Sequence, residues 1–121
     1  MISSSYPKRG EVWWVDLPNE PVDPHQPRWA IIVSRNGRNE KSSSVVVVPT
    51  TSSSKQSKDT RVQIPIGEGG LTKPSEAMCD RVATLHKSFL RPSGPLGNPI
   101  GKDYLEQIVR GVRRAIGDLQ A

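Results

Sequence analysis

Arg28 stands at the mouth of an apolar run, Trp29-Ala30-Ile31-Ile32-Val33, that reads as a strand buried on both faces, and such a strand has no use for a charge at its start. The arginine is either solvated punctuation or held there for a partner. A guanidinium is always charged, and its planar fork matches two phosphate oxygens at once. Hydroxyls follow at 50–58, Thr-Thr-Ser-Ser-Ser-Lys-Gln-Ser-Lys, and hydroxyls donate to phosphate oxygens without adding charge, although the same composition is ordinary loop chemistry. From Arg28 to Lys58 there are six basic residues and one acid, Glu40, while the rest of the chain holds eleven of each sign, so the whole net charge of +5 falls in this segment. A field concentrated in this way attracts a polyanion such as nucleic acid, or an acidic protein tail. The one cysteine, Cys79, excludes an internal disulfide and reads as a small buried hydrophobe. His25 and His86 lie too far apart for local metal-ligand spacing, so neither metal nor cofactor is expected.

These groups need a frame. At 121 residues the chain is expected to form one domain over 1–121, flexible at 1–7. With 34% hydrophobic residues and eleven prolines, the composition favours a small core, short strands and many loops. Strands are expected at 10–17, 29–34 and 45–48, the last closed by Pro49, and at 61–66, where Pro65 suggests an edge. Prolines at 18, 21, 24 and 27 make 18–27 a loop. Asn36-Gly37 reads as a polar connection, 67–74 as a turn, 76–85 as a strand or pair of strands, and 92–101 as a Pro/Gly-rich connection. Leu105, Ile108, Val109, Val112 and Ile116 fall on one face of a helix near 102–117. Five or more strands and one packed helix make an α+β domain, most simply a small curled barrel. No stretch is apolar enough to span a bilayer and the first residues lack the apolar centre of a signal peptide, which points to a cytoplasmic protein.

Read together, Arg9-Gly10-Glu11-Val12-Trp13-Trp14-Val15-Asp16-Leu17, Arg28 opening Trp29 to Ser34, Asn39, and Val46-Val47-Val48-Pro49-Thr50-Thr51-Ser52 resemble the MazF/PemK family of toxin endoribonucleases. Cys79-Asp80 before Arg81-Val82-Ala83-Thr84-Leu85 is similar to the family's next strand, and the likeness spans about residues 8–117. The resemblance implies an SH3-like barrel of CcdB/PemK type with mainly antiparallel strands and a C-terminal helix. It also implies a homodimer, metal-independent cleavage of single-stranded RNA, and inhibition by an acidic antitoxin protein whose extended tail covers the active groove.

Carried over residue by residue, the resemblance makes Arg28 catalytic. Cleavage without a metal has the 2′-hydroxyl attack the adjacent phosphorus, so one proton must leave, a phosphorane-like charge must be stabilised, and the 5′-oxygen must be protonated. Arg28 suits the second task. Thr51, two residues past Pro49, matches the family's catalytic threonine, and Ser52 follows it; Pro49 is expected to end the sheet's hydrogen bonding and turn both hydroxyls toward a groove. Asp23 lies five residues before Arg28, where some members carry a glutamate, while His25 has the pKa better suited to proton transfer near neutrality, so the base is either of these or another group. Glu11 coincides with a family residue implicated in RNA contact and can equally pair with a neighbouring arginine.

Trp29 stands where the family usually has proline, and Ala83 where many members have arginine or lysine. Arg81 restores that charge if 81 and 83 share a strand face, while Asp80, matching an acid of PemK-type members, points the other way in a regular strand. Trp13 and Trp14 face opposite sides of their strand, so one of them is open to a dimer interface or to base stacking. Two other functions stay open: a non-enzymatic toxin of CcdB type acting on a protein target, and a plain nucleic-acid-binding barrel.

Overall fold

The computed structural model describes residues 6–17, 28–52 and 59–118. The expected flexible start, the 18–27 loop and most of the hydroxyl-rich loop thus fall wholly or largely outside the described residues. Among the described residues seven strands form one antiparallel sheet: β1 (Val12–Val15), β2 (Arg28–Ile32), β3 (Ser44–Thr51), β4 (Arg61–Ile64), β5 (Ser75–Met78), β6 (Ala83–His86) and β7 (Leu90–Pro95). The α-helices among the described residues are α1 (Asn36–Lys41) and α2 (Lys102–Ala115). The path through the sheet is β4-β5-β3-β2-β1-β7, with β6 also paired to β3. Among the described residues its two ends, β4 and β7, do not pair with each other, so the expected curled α+β architecture holds with the sheet strongly curved but not closed.

The twofold-buried character of β2 is borne out, because each face of the sheet carries its own apolar cluster. Ile31 and Val48 join Val12, Val62 and Ile64 under α2, whereas Ala30, Ile32, Val45 and Val47 pack with Val15, Leu85 and Leu90. Alternation along β2 therefore sends successive residues into different cores.

Four expectations are corrected. Pro49 does not end β3: the strand runs to Thr51, and Pro49 pairs with Ala30 while fully buried. It sits between Val47, the last residue paired with β6, and Thr50, the first paired with β5, so its missing N–H coincides with a change of partner. The 76–85 segment is the expected pair of strands, but Asp80 and Arg81 lie on the 3₁₀ turn between them, Cys79–Arg81, so the strand alternation expected for those two residues does not apply. The connection at Asn36-Gly37 is the helix α1, tied down through Asn39, which is fully buried; its side chain donates to the Ser34 carbonyl at 2.8 Å and accepts from the Ser34 hydroxyl. The Pro/Gly-rich stretch begins with β7, an edge strand with Trp13 opposite Pro95 and a register shift before Val15 meets Leu90. Edges tolerate proline because one row of N–H groups needs no strand partner.

Helix α2 lies where the periodicity puts it, with a narrower buried face than expected. Leu105, Ile108 and Gly111 are buried, while Ile116 lies past the helix end and is 69% exposed. Among the described residues no helix is long and apolar enough to cross a membrane.

Candidate active site

β2 opens at Arg28, directly opposite Val15, and its Nη1 donates to the Thr50 carbonyl at 3.1 Å. The Thr50 hydroxyl returns the contact across the same seam, donating to the Trp29 carbonyl at 2.8 Å. These two bonds stitch β2 to β3 beyond the last paired residues, Ala30 and Pro49, and fix the guanidinium beside the end of β3. Thr50 is thereby buried and committed to structure. Thr51 is half-buried and Ser52 exposed, and both line the same open groove as Arg28.

The groove encloses about 280 Å³. Trp14 and Trp29 form part of its lining, facing each other in register with ring centroids 4.4 Å apart and planes tilted by 57°. The remaining wall comes from Leu71, Thr72, Lys73 and Ser75, so Lys73 adds a second cation to the lining. Behind Thr51 lies Glu76, its direct partner in register, which is 1% exposed. The Glu76 carboxylate accepts from Arg61 Nη1 at 2.9 Å and from the Gln63 amide, its neighbour on β4. A buried carboxylate held by two donors secures the strand end that carries Thr51.

Of the residues proposed from sequence, Arg28, Thr51 and Ser52 come together. Asp23 and His25 lie outside the described residues. Glu11 is elsewhere: its carboxylate accepts from the Lys8 backbone N–H at 2.7 Å and from Trp13 Nε1 at 3.0 Å, in a different groove. Trp13 packs on the Val15 and Leu17 side of the sheet, so Trp14 is the member of the pair that reaches the candidate site. Asp80 and Arg81 sit on the 3₁₀ turn, Asp80 with Oδ1 3.8 Å from Arg61 Nε, and neither lines the groove. Arg81 therefore does not stand in for the missing cation at Ala83 by sharing a strand face with it. The groove's own cation at Lys73 carried a weak signal, a lone lysine in a stretch legible only as a turn. Glu76 became identifiable only once Arg61 and Gln63 were known to lie on the adjacent strand.

Among the described residues, the cations of the basic segment serve different ends. Arg38 is used internally, donating to the Ser44 carbonyl at 2.8 Å and hydroxyl at 3.0 Å, and Arg35 and Lys41 are exposed around α1. Lys55 and Lys58 fall outside the described residues.

An endoribonuclease solved in complex with its cognate antitoxin, from a Mycobacterial species, superposes with a TM-score of 0.75 at 26% identity, covering 95% of this chain and 99% of its own. An endoribonuclease from Mycobacterial species gives a TM-score of 0.75 at 25% identity over 100% of this chain and 99% of that one. MazF from Deinococcus radiodurans shares the fold with a TM-score of 0.74 at 20% identity, covering 93% and 97% of the two chains. No curated protein matches the chain by sequence. The sequence profile of the PemK-like, MazF-like toxins of type II toxin-antitoxin systems matches residues 8–116, and the chain belongs to that family.

Proposed function

We propose that this toxin is a metal-independent endoribonuclease that cuts single-stranded RNA at the Arg28–Thr51 groove. One observation carries the reading: Arg28 and Thr51, distant in sequence, line one groove at adjoining strand ends, with the guanidinium tethered to Thr50. The likeness to endoribonucleases at 25–26% identity supports it. In the reaction the 2′-oxygen loses its proton and attacks phosphorus, Arg28 offsets the charge that builds on the non-bridging oxygens, and Thr51 and Ser52 orient the phosphate. The P–O5′ bond breaks, and the leaving oxygen takes up a proton to give a 2′,3′-cyclic phosphate and a 5′-hydroxyl. Asp23 is the first choice for the group that accepts the 2′ proton, with His25 the alternative. Trp14 and Trp29 offer an aromatic surface for a flanking base, and each stacked base is worth ~1–3 kcal/mol.

The partners follow from the same groove. As the family resemblance implies, a homodimer completes it across a twofold axis. An acidic antitoxin tail lies over it and blocks substrate. Incubating the purified protein with single-stranded RNA and EDTA, then analysing the ends, tests the proposal. Cleavage with cyclic phosphate ends is the expected result; binding without cleavage, or cleavage that EDTA abolishes, overturns it.

A further inference from the structure

A second cavity, of about 390 Å³, lies where β4 meets α2 and is lined by Asp59, Arg61, Val62, Gln107, Arg110 and Arg114. Arg110 and Arg114 are four residues apart on the helix, a spacing at which like charges repel. Arg61 joins them from the sheet, its side chain only 8% exposed. Among the described residues, two guanidinium N–H groups there are buried without a hydrogen-bond partner, Nε of Arg61 and Nε of Arg114. The Asp80 carboxylate stands 3.8 Å from the first, beyond hydrogen-bond range, and Arg114 Nη1 reaches the Asp59 carbonyl only at 3.4 Å. Buried donors are nearly always satisfied, so two unsatisfied ones beside a cavity call for an acceptor.

The charge balance sets what that acceptor is. Glu76 at 2.9 Å and Asp80 at 3.8 Å offset Arg61 from outside the lining, while the cavity wall itself presents Arg61, Arg110 and Arg114 with the single carboxylate of Asp59. A single phosphodiester group brings one negative charge and two acceptor oxygens suited to guanidinium forks. Among the described residues the lining has no aromatic ring, and its one apolar member, Val62, is 6% exposed, so nothing there stacks a base or anchors an apolar side chain. That favours a nucleic-acid backbone over an acidic peptide, which needs apolar anchors to offset its ordering cost.

We infer that Arg110 and Arg114, with the Nε of Arg61, form an accessory site that holds a backbone phosphate of the RNA outside the cleavage groove. The inference rests on RNA being the substrate. The site and the groove flank one run of strands, because Glu76 faces Thr51 on one side and binds Arg61 on the other. Only RNA longer than the groove engages both.

The test compares full-length Arg28→Ala with Arg28→Ala carrying Arg110→Gln and Arg114→Gln, so that no RNA is consumed. Binding is measured by fluorescence anisotropy on a uridine 20-mer, a uridine tetramer and a glutamate-rich peptide at several salt concentrations. The expected result is roughly tenfold weaker binding of the 20-mer and a salt slope reduced by ~0.7 for each phosphate no longer neutralised, with the tetramer bound alike by both proteins. Unchanged affinity and slope for the 20-mer overturn the inference, as does equal weakening for the tetramer. Loss of peptide binding alone also overturns it, by making the site a protein-binding one. Whether the parent protein cuts RNA is read separately, so failure of the ribonuclease reading and failure of this site give different results.

Discussion

Tethered to the Thr50 carbonyl at one end of its fork, Arg28 contributes charge at a fixed place rather than packing. Arg28→Ala should therefore cut single-turnover RNA cleavage by on the order of 10²–10³ while thermal unfolding shifts little. Arg28→Lys should fail nearly as badly, since a point charge cannot hold Thr50 and a phosphate with one planar group. Thr51→Ala removes a neutral donor worth ~0.5–1.5 kcal/mol, so up to about a tenfold loss is expected. Cleavage by Arg28→Ala at the parent rate, or its unfolding, would make the arginine structural. Cys79 gives a prediction of another kind. Burial, and after it the neighbouring Asp80, pushes its thiol from 9.0 up to about 12. The folded chain thus keeps a proton that the unfolded chain releases first, and stability should fall as pH rises from ~9 toward ~12. Comparing urea midpoints of the parent and Cys79→Ala across that range isolates the effect, and parallel curves would refute it. Arg28 could be singled out as a charge before an apolar run and Thr51 through the family resemblance alone, and the structure adds that the two line one groove. Lys73 and Glu76 were not legible in sequence, since each owes its place to strands paired across long loops.

Elements announced themselves in sequence where their apolar pattern matched one period. Strands β2 and β3 did so as unbroken runs, and α2 through its stripe. Helix α1 did not: its six residues, Asn-Gly-Arg-Asn-Glu-Lys, are polar throughout, and what holds them is Asn39 buried against Ser34, a tertiary contact with no periodicity. Strand β7 was hidden because its prolines and glycine read as loop, which only an edge position permits. The register of α2 shows the same limit, since Gly111 rather than Ile116 turned out to belong to the buried face. A Cβ at Gly111 would lie 2.6 Å from Cys79 Sγ and 3.0 Å from Cys79 Cβ, so the helix approaches the 3₁₀ turn too closely for a side chain. Gly111→Ala should destabilise by ~1–3 kcal/mol through overpacking, despite its better helix propensity. Adding Cys79→Ala removes the sulfur and should restore part of the loss. Chemical denaturation of both single variants and the double variant gives the coupling, and additive effects would show that the two residues do not meet in this way.

At the scale of the whole molecule, β3 is the hub that makes a groove possible. Its first half pairs with β6 and its end with β5, so the strand leaves one neighbour and takes another just before it delivers Thr51. Among the described residues, the groove so formed draws its cations from two separate stretches, Arg28 at the start of β2 and Lys73 before β5. An acidic antitoxin tail and RNA should then compete for the same two charges, and the weaker-packed, more electrostatic part of either interaction should fade as salt rises. Lys73→Ala offers the sharper test because Lys73 lies outside the segment that holds the net charge. If the groove is shared, the variant should weaken RNA and tail together, each by about threefold to tenfold, in competition titrations at fixed ionic strength. A ternary complex of toxin, tail and RNA, or a Lys73→Ala variant that loses one ligand and keeps the other at full affinity, would place the antitoxin on a different face.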